Sequence, residues 1–184
     1  PESPFTVVEP VPARIVDGLD ESLGMVRNEL YERVSGRLET ELDTTAGRNR
    51  SKLLNMIGIL HARFGEFGKA HLRFSEAIEN DARSLSAYIN MANLKLLEGN
   101  VDEAVRFLER GRAVRPGSVM IDLLLAKAYY RGGDRIRAGE YYDAVVEKSP
   151  DLAESIAYIE NRSTSGERAA GGGELEVLNW DIGE

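Results

Sequence analysis

Apolar residues in the first quarter of the chain fall at Val16, Leu19, Leu23, Val26, Leu30, Val34 and Leu38, in steps of three or four. That spacing draws one stripe along an α-helix and predicts a long helix from about Ala13 to Leu42. The stripe admits two uses. It can pack on the elements that follow and cover their apolar edge, or it can form a coiled-coil seam, against which the drift to successive four-residue steps counts. Upstream, Pro1, Pro4, Pro10 and Pro12 predict an extended arm over 1–12. Residues 13–50 are read as the helix and its linker, with a polar link from Thr44 to Asn49.

From residue 51 the pattern changes to a repeat. Gly65, Gly99 and Gly133 stand 34 residues apart, each followed five residues later by Ala70, Ala104 and Ala138, and the same interval joins Pro116 to Pro150. A unit of this length holds two helices and two short turns. The glycine falls where a first helix must stop, since glycine takes the left-handed conformation at no steric cost. The alanine falls where two helices touch, and the proline where the second helix ends. One such unit cannot bury its own apolar side, so the units must stack.

With units at 51–84, 85–118 and 119–152, further positions recur in phase. They are Gly58, Ala92 and Ala126; Phe74, Leu108 and Tyr142; and Ala77, Gly111 and Val145. Residues 51–152 therefore resemble the tetratricopeptide repeat family. Leu54, Tyr88 and Asp122 replace its usual tryptophan, only Tyr129 matches where His61 and Lys95 stand, and Ala82 takes the place of the first proline. The resemblance implies an all-α fold: a right-handed α-solenoid of three helix pairs, with the long N-terminal helix before it and a C-terminal capping helix after it. Val145 at a small-residue position implies looser packing near the end. The N-terminal stripe is not a fourth repeat, because Thr40 and Asp43 fall on apolar and small positions.

Pro150-Asp151 opens a helix carrying Leu152, Ile156 and Ile159, the first half of a fourth unit, and 153–162 is assigned as the cap. Residues 163–184 form a Gly-rich tail through Gly171-Gly172-Gly173 to an acidic and apolar end that holds the single tryptophan, Trp180. That end is read either as unstructured or as a short recognition peptide.

Composition narrows the function. The chain of 184 residues is 42% apolar and 29% charged, with a net charge of −8, which disfavours nonspecific binding to nucleic acid or anionic membrane. No apolar run is long enough to span a bilayer. Zero cysteines remove disulfides and sulfur-ligated metals and leave cytosol and periplasm both open. A chain beginning at Pro1 is expected to have lost an upstream piece. His61 and His71 lack converging oxygen ligands, the three glycines lack the Lys-Ser/Thr of a phosphate loop, and serines such as Ser118 lack a histidine partner. No cofactor, metal or enzymatic activity is expected.

The resemblance then implies a concave face lined by the first helices, with a peptide-binding groove at Lys52, Asn55, Arg63, Ile89, Asn90, Asn93, Leu97, Lys127, Tyr130 and Arg131. Met56, Ile59, Ala62, Ser86, Leu96, Met120, Leu123 and Leu124 share that face by position. Asparagines can bond a peptide backbone, arginines can pair with carboxylates, and apolar residues supply anchor pockets. The expected partner is a protein or peptide, acidic in character, and the tail's Leu178, Trp180, Asp181, Ile182 and Glu184 have that composition, so self-docking is a further expectation. The subfamily that clamps acidic chaperone C-termini wants Lys and Asn where this chain has Asn55 and Ile59, Asn at the place of Asn90, and Lys and Arg where it has Met120 and Leu124. Only Asn90 matches, so a chaperone co-factor of that type is not expected. The expected role is a non-catalytic adaptor or assembly factor. The alternatives are a transport accessory or small-ligand binder with a pocket between groove and N-terminal helix, and an oligomerisation module built on that helix.

Overall fold

The computed structural model describes residues 13–159, with side chains from residue 24. The N-terminal arm and the tail, with its expected recognition peptide, lie outside the described residues. Eight helices follow in order: α1 (Ala13–Thr44), α2 (Gly47–Arg63), α3 (Phe67–Asn80), α4 (Leu85–Leu97), α5 (Val101–Val114), α6 (Val119–Arg131), α7 (Arg135–Lys148) and α8 (Pro150–Glu154). Within each pair, α2 packs on α3, α4 on α5 and α6 on α7. Between pairs, α3 meets α4, α5 meets α6, and α2 also touches α4. The result is an all-α solenoid of three helix pairs.

The helix stops are alike in all three pairs. Gly65, Gly99 and Gly133 have φ of 80, 79 and 84°. The residue after each glycine donates its N–H back to a carbonyl five residues earlier: Glu66 to His61 at 2.9 Å, Asn100 to Lys95 at 2.8 Å and Asp134 to Tyr129 at 3.0 Å. This is the Schellman closure, which satisfies carbonyls that the helix end leaves without partners. A side chain at these glycines would meet open space, so the backbone conformation alone requires glycine there.

Small residues mark the contacts between paired helices. Ala70, Ala104 and Ala138 are fully buried, as are Ala92 and Ala126 on the facing helices. At the equivalent position of the first pair stands Gly58, against the ring of Phe74. Two apolar clusters result, one around Leu54, Ile57 and Phe74 and one around Leu108, Ile121 and Leu125. Helix α4 belongs to both, and every residue from Ala87 to Leu96 is buried. The odd residues at the tryptophan and tyrosine positions have local partners. Lys148 Nζ lies 2.7 Å from buried Asp122, and Lys95 Nζ lies 2.9 Å from Glu98 and 3.4 Å from Glu103.

Three details differ from the sequence expectations. First, α2 begins at Gly47, inside the expected polar link, leaving only Thr45 and Ala46 between helices. That turn is tied down by Arg50, which donates to the carbonyl of Leu42, and by Asn80, whose Nδ2 donates to the carbonyl of Gly47 at 2.8 Å. Second, the apolar stripe of α1 is not what seats it. Tyr31, Ser35 and Leu42 are buried, with Leu38 packed beside them, whereas Val26, Leu30 and Val34 are 63, 56 and 37% exposed. Third, α8 ends at Glu154 and the chain continues in turns. Ile156 and Ile159 nevertheless enter the core at 0 and 3% exposure, while Leu152 is 38% exposed and Ala153 takes the inward place. Pro150 sits at the first helical position, where its missing N–H costs nothing.

Candidate functional site: the inner helices α2, α4 and α6

The ten residues assigned to a groove separate into two groups. Asn55, Asn90 and Asn93 are 0, 0 and 1% exposed, and Ile89 is 2% exposed within the apolar cluster. Asn90 Nδ2 donates to Asn55 Oδ1 at 2.9 Å, bridging α4 and α2. A buried amide must be hydrogen-bonded to avoid a desolvation penalty, and pairing across two helices meets that need. The expectation that these amides stand open to a peptide backbone is corrected accordingly. Ile89 is likewise a core residue. The single match to the carboxylate clamp, Asn90, is turned inward.

Tyr130 is also engaged by the chain itself. Arg135 Cζ lies 3.7 Å from its ring centroid, and the ring of Tyr158 meets it edge-on at 5.1 Å. Its hydroxyl is buried and has no hydrogen-bond partner among the described residues. Tyr130 thus fixes the end of the last turns against α6 and is not an open apolar pocket.

The second group is accessible. Arg63, Leu97 and Arg131 are all exposed and stand at equivalent positions, 34 residues apart, in the last turns of α2, α4 and α6. They form a rank of cation, apolar residue and cation. Lys52 and Lys127 are half-buried on α2 and α6, and Met56 and Met120 are 45 and 44% exposed.

Sequence reasoning missed the polar contact that seats α1. The Tyr31 hydroxyl lies 2.9 Å from His61 Nδ1, and its ring stacks on Phe64 at 4.6 Å. Glu39 lies 3.8 Å from His61 Nε2 and accepts from both Nε and Nη2 of Arg73. Burial holds the His61 pKa below 6.5, with Lys69 and Arg73 acting in the same sense and Glu39 and Glu66 opposing. Tyr31 and His61 thus share one buried hydrogen bond, its donor set by the ring tautomer. An open cleft of about 470 Å³ lies beside this contact, lined in part by Glu32, Lys69 and Leu72. Among the described residues no group of three or more His, Asp or Glu could hold a metal ion, and no helix is long and apolar enough to cross a membrane.

No protein-family profile matches the chain. Human tetratricopeptide repeat protein 36 is 35% identical over 96 residues, 48% of this chain and 51% of the human protein, so the chain spans about half the length of that relative. Among solved structures, the first tetratricopeptide repeat domain of Spaghetti (RPAP3), bound to the HSP90 peptide SRMEEVD, superposes with a TM-score of 0.60 at 14% identity, over 65% of this chain and 100% of that one. YrrB, described as a tetratricopeptide repeat protein with an unusual peptide-binding site, gives 0.59 at 20% identity, over 72% of this chain and 69% of that one. The N-terminal domain of stress-induced protein-1 from C. elegans gives 0.56 at 20% identity, over 63% and 98%. The three helix pairs of this chain have the tetratricopeptide repeat fold.

Proposed function

We propose that this protein is a non-catalytic interaction module, an adaptor or assembly factor, that holds an extended acidic and apolar peptide along Arg63, Leu97 and Arg131. The observation that carries the reading is that rank itself: two exposed guanidinium groups flanking one exposed leucine, on successive inner helices. Arginine pairs bidentately with carboxylates, and a leucine between two arginines selects an apolar residue between two acids. Lys52 and Lys127 extend the positive character along α2 and α6. A structural neighbour that holds the acidic peptide SRMEEVD supports the same use of the fold.

The chain's own end is a ligand of this composition. Residues 174–184 carry Glu174, Glu176, Asp181 and Glu184 among Leu175, Val177, Leu178, Trp180 and Ile182, with no cation. The described chain reaches Ile159 beside α6, through the Tyr158–Tyr130 contact. A tether of this kind raises the local concentration to about the millimolar range, so a weak contact is populated and an external partner must compete with it. The test is Trp180 emission. The intact chain should show a buried tryptophan at low salt, shifting toward the solvated value at high salt and in Arg63→Glu plus Arg131→Glu. Emission that is fully solvated in wild type and unmoved by either change overturns self-docking. An added acidic peptide that binds the double variant as tightly as wild type overturns the rank as a binding site.

A second reading rests on a separate observation. The exposed apolar residues Met25, Val26, Leu30 and Val34 lie on α1 away from the Tyr31 side that seats it. Such a face favours association of α1 with another copy, making the helix an oligomerisation element.

A further inference from the structure

Arg83, Arg110 and Arg115 form no ion pair among the described residues, in a chain with 31 acidic side chains to 23 basic ones. All three line a single cleft of about 740 Å³ at the junction of the first and second repeats. Arg83 comes from the turn before α4, Arg110 from the middle of α5, and Arg115 from the residue that follows α5. Apolar side chains, Leu85 and Val114, complete the wall. Arg110 is held in place: its Cζ lies 5.1 Å from the Tyr88 ring centroid and 5.6 Å from that of Phe107, and its Nη2 lies 3.5 Å from the Tyr88 hydroxyl. A guanidinium held beside aromatic rings keeps N–H donors at its edge for an anion. Arg110 also borders a second cleft, of about 340 Å³, where Arg106 stands beside the Lys95–Glu103 ion pair.

We propose that this cleft is a second binding site, distinct from the inner rank, for an acidic peptide segment of a partner protein that carries carboxylates on either side of an apolar side chain. Charge complementarity sets the sign of the ligand. Size and lining set its class, because the volume falls in the range for ligands of several side chains, far beyond a lone phosphate. The apolar wall rewards a hydrocarbon group that a simple anion does not have. The site draws on the turns and α5, whereas the inner rank draws on the last turns of α2, α4 and α6. The protein can therefore hold two acidic segments at once, which gives a bridging role to the adaptor reading.

The experiment uses the intact chain carrying Arg63→Glu and Arg131→Glu, so that the outcome does not depend on the inner rank. The probe is a fluorescein-labelled hexapeptide, Glu-Leu-Glu-Glu-Leu-Asp, titrated by anisotropy, with circular dichroism melts as a check on folding. The expected result is saturable binding of one equivalent, weakened by about tenfold or more when Arg83→Ser and Arg115→Ser are added. These two exposed turn residues should leave the melt unchanged. Val114→Asp, which keeps all three arginines, should weaken binding comparably by placing a charge in the apolar wall. Failure to bind in the Arg63→Glu, Arg131→Glu background, or affinity indifferent to Arg83→Ser and Arg115→Ser, overturns the proposal. Displacement of the peptide by inorganic phosphate at equal concentration overturns it as well, by reducing the cleft to a general anion site.

Discussion

A methyl group built on Gly58 would stand 2.5 Å from Cε1 of Phe74 and 2.6 Å from its Cδ1, closer than any carbon pair tolerates. The first repeat thus couples its smallest residue to its largest. The second repeat uses Ala92 and Leu108 at the same two positions, both fully buried. Gly58→Ala should therefore destabilise the fold by about 1–3 kcal/mol through overpacking, despite the higher helix propensity of alanine. Gly68 on α3 supplies the control, since a methyl group there would meet nothing within 4 Å. Gly68→Ala should be neutral or stabilising by up to about 1 kcal/mol. Adding Phe74→Leu to Gly58→Ala should recover part of the loss by restoring the pairing of the second repeat. Urea denaturation of wild type and the three variants is the measurement, and equal midpoints for Gly58→Ala and Gly68→Ala would count against the contact.

The contact that seats α1 depends on pH. His61 has a folded pKa below its unfolded value of 6.5, so the unfolded chain binds the proton first. Its contribution is fully present above pH 6.5 and is lost as pH falls below 6.5 toward the folded value. Glu39 from α1, Glu66 from the turn, and Lys69 and Arg73 from α3 all face the ring. Urea midpoints should drop on going from pH 7.5 to pH 5.5 in wild type and drop less in His61→Gln. An equal drop in both would assign the pH dependence elsewhere.

The exposed stripe on α1 makes a prediction about mass. Sedimentation equilibrium of the intact chain should give a value above the 20.3 kDa of one copy, returning to one copy in Val26→Asp plus Leu30→Asp. Helix content should be unchanged, because both positions are exposed and neither touches the Tyr31 contact. A wild type that stays at one copy at high concentration removes the oligomerisation reading.

The features legible in the sequence were those with a single residue solution. A left-handed helix stop wants glycine and a close helix crossing wants alanine, so Gly65, Gly99, Gly133, Ala70, Ala104 and Ala138 announced the fold. The partners of polar residues were not legible. Asn55 and Asn90 are polar and read as surface donors, yet they satisfy each other across 35 residues. The side of α1 that docks was hidden for a related reason. Tyr31 and Ser35 do not read as an apolar stripe, and the more hydrophobic line through Val26 and Leu30 draws the assignment away from them. Arg83, Arg110 and Arg115 form no motif in the chain, since only the packing of α4 and α5 brings them to one cleft.

The three helix stops are built alike, and the inner rank inherits its spacing from them. Duplicating residues 85–118 in place would add one more step to the rank without disturbing the junctions on either side, because each pair contacts only its neighbours. On the proposed reading of the rank, the number of repeats would act as a gauge of ligand length, and each new residue at the place of Leu97 would choose the character of one more side chain.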